Sequence, residues 1–93
     1  MAVGLLLLEI YIPDSRSLKD KRQVLRSLKE RLRRKFNIAV AEMDQQENAQ
    51  RSQVGIVSIS NNAGHLEQSL RTVLNEAENM LGRYLESHDL ELL

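Results

Sequence analysis

The sequence predicts an α+β fold whose strands and helices follow one another in the order β-α-β-β-α-β. Two observations carry this prediction. Apolar residues recur every three or four positions in two long stretches, 17–36 and 61–82, as they do on the buried side of an amphipathic helix. The segments before, between and after these stretches are short and apolar, with β-branched residues and alternation, which is typical of strands.

The first predicted strand covers residues 2–12, with the sequence AVGLLLLEIYI. Both alternating sets of side chains are apolar from Leu5 to Leu8, which predicts a strand that is buried on both faces and central in its sheet. Pro13 and Asp14 then end the strand and turn the chain.

The first helix is predicted over residues 17–36, with Ser17 as its N-cap. Asp20 stands three residues later, where a carboxylate completes a capping box. We expect Asn37 to end the helix in the left-handed conformation. The predicted buried stripe consists of Leu18, Leu25, Leu28, Leu32 and Phe36.

The second half of the chain begins with a predicted hairpin. Residues 37–44 and 52–60 are its strands, and the polar residues 45–51 are its loop. The second helix opens at Asn61 and Asn62, and Gly82 is suited to end it. Its stripe consists of Leu66, Leu70, Val73, Leu74, Ala77 and Leu81. Residues 83–92 alternate weakly and predict a fourth strand at a sheet edge.

Elements in this order predict a ferredoxin-like sandwich with a four-stranded antiparallel sheet. Right-handed crossovers give the strand order 4-1-3-2, with both helices on one face of the sheet. The doubly apolar first strand then lies inside the sheet, as its composition requires. A chain of 93 residues suits one domain, 1–93.

The composition excludes several kinds of site. The chain has no cysteine, so it has neither disulfides nor a thiolate metal site, and its two histidines, His65 and His88, stand alone. The run at residues 5–8 is too short to span a bilayer and no cationic segment precedes it, so we expect a soluble cytoplasmic protein. Because no catalytic constellation or cofactor motif is present, we expect neither enzymatic activity nor a cofactor.

The net charge of zero conceals a strong asymmetry. Residues 16–35 hold ten Lys or Arg and two acids, a net charge of +8, and the other residues carry −8. This polarity favours a polyanionic partner, or a second copy of the protein, at the basic pole. Spacings of three and four residues bring five bases to one flank of the first helix: Lys19, Arg22, Arg26, Lys29 and Arg33. We expect these five side chains to contact RNA phosphates.

A solvated basic face is the competing interpretation of this flank. Glu42 and Asp44 on the second strand are candidates to balance Arg22 and Lys19. The same two carboxylates, two positions apart, could form an acid–base pair or bind a metal, but no histidine is near and charge balance is favoured. Lys21 falls beside the apolar stripe, and we expect it to snorkel into solvent.

The sheet face away from the helices is predicted to be apolar. Its expected residues are Leu5, Leu7, Ala39, Ala41 and Met43. An exposed face of this kind predicts a partner, most simply a second copy in a homodimer. It does not suit base stacking, because Tyr11 is the only aromatic residue that the first strand offers and the third strand has none.

The loop after the third strand is a candidate anion site. Asn61, Asn62 and Gly64 place backbone N–H groups and a glycine at a helix N-terminus, where a phosphate could bind. Helix capping by one of the two asparagines is the simpler explanation, and we favour it.

The stretches SLKDKR, FNIAVAEMD and VSISN resemble those of the YlxP-like family of small bacterial proteins of unknown function. The resemblance covers most of the chain and is weakest in the last strand. It implies a ferredoxin-like fold. The family's genes often lie beside those of translation and ribosome-maturation factors, which implies a role with RNA, and the family supplies no catalytic residues. Where relatives often carry an aromatic residue this chain has Ala49, so no stacking role follows for the hairpin loop.

Three hypotheses follow for the function, of which the third, an enzyme, is the weakest. The first is a non-enzymatic accessory domain that associates with RNA or the ribosome through the basic helix. The alternative is a homodimeric ferredoxin-like module that binds a small anionic ligand or a protein partner in a regulatory role.

Overall fold

A computed structural model describes residues 1–93. The strands are β1 (Ala2–Tyr11), β2 (Ala39–Asp44), β3 (Arg51–Ser60) and β4 (Leu85–Leu92), and the helices are α1 (Leu18–Lys35) and α2 (Ala63–Leu81). A short 3₁₀ turn, Gly82–Tyr84, links α2 to β4. The strands form one antiparallel sheet in the order β2-β3-β1-β4, which confirms the predicted ferredoxin-like topology.

The core lies between the two helices and one face of the sheet. A cluster of sixteen buried apolar side chains fills this space, and both helices and the strands β1, β2 and β3 contribute to it. Along β1, Leu6, Leu8 and Ile10 are buried, whereas Leu5 and Leu7 are only half-buried. The central place of β1 is confirmed, but its burial on both faces is wrong, because no helix covers the second face of the sheet.

Both helices begin with side-chain caps. The Ser17 hydroxyl accepts the N–H of Asp20 at 3.2 Å, as predicted. The Asp20 carboxylate accepts the N–H of Arg16 at 3.0 Å rather than that of Ser17, so the capping box reaches one residue further back than expected. At the start of α2, the side-chain oxygen of Asn62 accepts the N–H of His65 at 2.9 Å.

The two helices end differently. Gly82 ends α2, as predicted, with φ +55° and ψ −128°, a positive-φ conformation that glycine adopts without a Cβ penalty. The prediction for Asn37 is wrong, since Phe36 ends α1 with an extended backbone at φ −134°. The chain leaves α1 in an extended conformation and continues into β2, so no residue with positive φ is needed at this end.

Candidate nucleic-acid interface

Three of the five predicted basic residues meet in a groove between α1 and β2. Arg22, Arg26 and Lys29 line it, with Leu25 at its base and Glu42 of β2 on the opposite wall. Its volume is about 280 Å³. The three bases lie together because residues three and four apart share one flank of a helix. We call this set of three bases the basic groove.

The other two predicted bases lie outside the groove lining. Lys19 is exposed in the first turn of α1. Arg33 turns towards the sheet, and its guanidinium donates to the backbone oxygen of Val40 at 2.8 Å. Arg33 therefore ties α1 to β2, with part of its hydrogen-bonding capacity already used.

The charge of the basic groove is not neutralised within the chain. Arg22, Arg26 and Lys29 form no ion pair. Glu42, the acid in the groove, already has other partners, since its carboxylate accepts from the ammonium of Lys21 at 3.0 Å and from the Ser52 hydroxyl at 2.6 Å. The groove thus presents three cationic side chains to solvent with one carboxylate that is already paired.

The opposite flank of α1 has the reverse arrangement. Arg31 and Lys35 both reach Glu76 of α2, at 2.6 Å and 3.1 Å. The hydrogen bond from Arg31, followed by that from Lys35, lowers the pKa of the Glu76 carboxyl below its usual value. Glu76 was not predicted from the sequence, although its i, i+3 spacing from Val73 of the apolar stripe placed it beside the buried face of α2. The charges of α1 are therefore balanced towards α2 and left unbalanced towards β2.

Lys21 contradicts its predicted role. Its side chain is fully buried rather than snorkelling into solvent. The ammonium donates to the backbone oxygens of Gln45 at 2.7 Å and Arg51 at 3.1 Å, in addition to the pair with Glu42. The two backbone acceptors belong to the loop between β2 and β3 and to the first residue of β3. Lys21 is therefore a structural residue and offers no charge to a ligand.

The suggested acid pair at Glu42 and Asp44 does not form. The register of β2 shifts between the two residues, so the simple alternation on which the pairing was based is broken. Glu42 binds Lys21 and Ser52, whereas Asp44 accepts the N–H of Gln45 at 2.8 Å. Charge balance by Glu42 is confirmed, but its partner is Lys21 and not Arg22.

The candidate anion loop is used for capping. Asn62 is the N-cap of α2, which agrees with the favoured explanation. Asn61, before the helix, and Gly64, in its first turn, are exposed. An anion at Asn61, Asn62 and Gly64 stays a prediction. The side-chain oxygen of Asn62, with its negative partial charge, already occupies part of the space at the N-terminus of α2.

A cleft of about 320 Å³ beside this loop was not anticipated from the sequence. It lies between the end of α1, β3 and the first turns of α2, and half of its lining is apolar, including Phe36, Ile38 and Leu66. Lys35 stands at its rim, but that ammonium is already paired with Glu76. The cleft therefore attracts anions less strongly than the basic groove.

The open face of the sheet brings all five predicted residues together. They line a shallow groove of about 410 Å³: Leu5, Leu7, Ala39, Ala41 and Met43. The contribution of β3 to this face was not predicted from the sequence: its Val57 and Ile59 are 39% and 61% exposed on the same face. Their alternation with the buried Ile56 was the available signal. We call these seven residues, with Gly55, the open apolar face.

Fold and site together define a ferredoxin-like α+β protein with a basic groove on its first helix and an apolar face on its sheet. Residues 3–89 match the family described as protein of unknown function DUF503, and the chain belongs to this family. It is 36% identical over 72 residues to the uncharacterized protein YlxP of Bacillus subtilis strain 168, across 77% of this chain and 78% of that protein. The resemblance predicted from the sequence is thereby confirmed.

Two solved structures illustrate the fold. A crystal structure of an antibiotic biosynthesis monooxygenase has a TM-score of 0.55 at 10% identity, covering 98% of this chain and 95% of its own. A de novo designed protein with a ferredoxin fold has a TM-score of 0.55 at 6% identity, covering 100% and 83%. Since an enzyme and a designed protein are equally similar, the likeness shows the fold and selects no activity.

Neither helix of the chain is both long and apolar enough to cross a membrane.

Proposed function

We propose that this protein is a non-enzymatic accessory domain that associates with RNA or with the ribosome through the basic groove. One observation carries the proposal: Arg22, Arg26 and Lys29 surround one groove without an ion pair. Three other bases of the same helix, Lys21, Arg31 and Lys35, are each paired with a carboxylate. Unpaired bases that converge on one surface are the usual footprint of a phosphate-binding protein.

The geometry of the helix suits a strand of phosphates. From Lys19 to Arg33 the flank extends over fourteen residues, or about 21 Å of helix, which spans several phosphates. Guanidinium groups at Arg22 and Arg26 can each present two N–H donors to one phosphate. Such contacts set affinity and orientation without choosing a base sequence.

The test is recovery of bound nucleic acid from cell extract at low salt. The groove variant replaces Arg22, Arg26 and Lys29 by Gln, which is nearly as good a helix former as Arg or Lys. The matched control replaces Arg16, Arg34 and Arg83 by Gln. These three arginines are exposed and form no ion pair. Both variants lose three positive charges, so the change in net charge is the same.

We expect the parent and the control variant to retain RNA that ribonuclease removes, and the groove variant to retain at least tenfold less. Equal recovery by the groove and control variants would show that net charge alone attracts RNA, and absence of RNA from the parent would end the proposal. A small acidic molecule that stays bound through ribonuclease treatment would support the alternative, a homodimeric module with an anionic ligand in a regulatory role.

A further inference from the structure

The open apolar face is covered by no part of this chain. Met43, Val57 and Ile59 are each more than a third exposed on it, and Leu5 and Leu7 are half-buried beside them. Strand register places apolar residues level with each other across three strands: Leu5 with Val57 and Ala39, and Leu7 with Gly55 and Ala41. The result is a contiguous patch, and large exposed patches of this kind mark interaction sites.

The charges around the patch exclude an anionic partner. On β4, Glu91 is level with Leu5 and Asp89 is level with Leu7, so an acidic edge borders the apolar residues. The basic residue of this face, Arg51, lies 4.3 Å from the centre of the Tyr11 ring and pairs with Glu86 at 2.8 Å. A phosphate backbone or an anionic membrane would therefore meet repulsion here, with no free cation to offset it.

The size of the face suits a second copy of the chain. The strands have 10, 6, 10 and 8 residues, and at about 4.8 Å between strands and about 3.3 Å per residue they give a face of roughly 540 Å² per copy. Two such faces would bury about 1,100 Å² in total, which just exceeds the roughly 1,000 Å² expected of a specific interface. The small residues Ala39 and Ala41 leave a furrow that larger apolar side chains of the other copy can enter, whereas Met43 of the same copy already lies over Gly55.

We infer that two copies pack through this face, about a two-fold axis parallel to the strands. An axis across the strands would stack β4 on β4 and set Asp89 and Glu91 against their own copies, which is unfavourable for like charges. An axis along the strands places β4 of each copy over β2 of the other. Ala41 and Asp89 are both level with Leu7, so Ala41 then faces the partner's Asp89. Helices occupy both outer surfaces of the sandwich.

Sedimentation equilibrium tests the association. The parent should have twice the 10.7 kDa mass of one chain. Ile59→Lys should be a folded monomer, since Ile59 is 61% exposed in one copy and its replacement removes no core contact. The matched control is Met80→Lys on α2, which is 36% exposed away from this face and should remain dimeric. A parent that sediments as a monomer at high concentration, or an Ile59→Lys variant that stays dimeric, would overturn the inference.

Cross-linking tests the direction of the axis. Because the chain has no native cysteine, only the introduced thiols react. The double variant Ala41→Cys with Asp89→Cys should give covalent dimers with a short bis-maleimide, because each new thiol faces the other type across the interface. Asp89→Cys alone should cross-link at least tenfold more slowly. The reverse result would place the axis across the strands. Neither test involves RNA or the basic groove, so their outcomes are independent of the test of the proposed function.

Discussion

At the scale of residues, Lys21 best illustrates how one side chain can organise distant parts of the chain. Its ammonium joins α1 to Glu42 of β2, to the backbone oxygen of Gln45 in the β2–β3 loop and to that of Arg51 at the start of β3. A buried ammonium is tolerated only where such acceptors surround it. The helical period placed Lys21 beside the apolar stripe. The acceptors lie 24 and 30 residues away in sequence, so no local pattern could reveal them.

We predict that Lys21→Met lowers the free energy of unfolding by about 3–5 kcal/mol, because Glu42 and the loop carbonyls lose their donor. Lys19→Met is the control, since Lys19 is exposed and unpaired, and it should change stability by less than about 0.5 kcal/mol. Urea unfolding followed by circular dichroism measures both. Similar midpoints for the two variants would mean that the buried network contributes little to stability.

At the scale of elements, the close approach of α2 to β1 depends on Gly4. A Cβ built at Gly4 would overlap Leu70 Cδ1 and lie 3.3 Å from Leu66 Cδ2, so side chains of the helix occupy the space that a Cβ would need. Gly64, at the start of α2, is different: a Cβ there would meet only the Asn62 side-chain oxygen, at 3.4 Å.

Alanine at these two glycines should therefore have opposite effects. Gly4→Ala should destabilise the fold by about 1–3 kcal/mol through overpacking. Gly64→Ala should stabilise it by about 0.5–1 kcal/mol, because alanine reduces the freedom of the unfolded chain and favours a helix. Thermal unfolding by calorimetry would measure both. A Gly4→Ala protein as stable as the parent would show that Leu70 moves aside without loss of packing.

The elements themselves could be predicted from the sequence, because each has a strong local signal. The stripe of Leu25, Leu28 and Leu32 predicts a helix, and the alternation around Ile56 predicts a strand. What could not be predicted is where an element is perturbed by its neighbours. The register shift after Glu42 depends on pairing with β3, and the extended end of α1 at Phe36 depends on the immediate entry into β2.

At the scale of the whole molecule, the two charge poles have different fates. The basic residues are divided by the fold, with one group paired towards α2 and the basic groove left open towards β2. The acidic edge of β4 lies at the other side of the sheet. In the proposed dimer both basic grooves would lie on the outer helical layers, so one dimer could contact two RNA segments.

The fold was predictable at this scale and the function only in outline, for a physical reason. Order and handedness of connections restrict the topology, so a sequence of elements implies a sheet order. Phosphate contact imposes no motif on the protein and depends on which bases remain unpaired after folding. The sequence predicted the flank of five bases. Only the structure separates Arg33, which is bound to Val40, from Arg22, Arg26 and Lys29.

The salt dependence of RNA binding tests the basic groove most directly. Fluorescence anisotropy of two unrelated single-stranded oligonucleotides would give the slope of log K against log salt concentration. The account predicts a steep negative slope for the parent, equal for both sequences. Replacing Arg22, Arg26 and Lys29 by Gln should reduce that slope by roughly two units, if each base meets one phosphate. An unchanged slope in this variant, or a parent whose binding ignores salt, would contradict a phosphate-binding role for the groove.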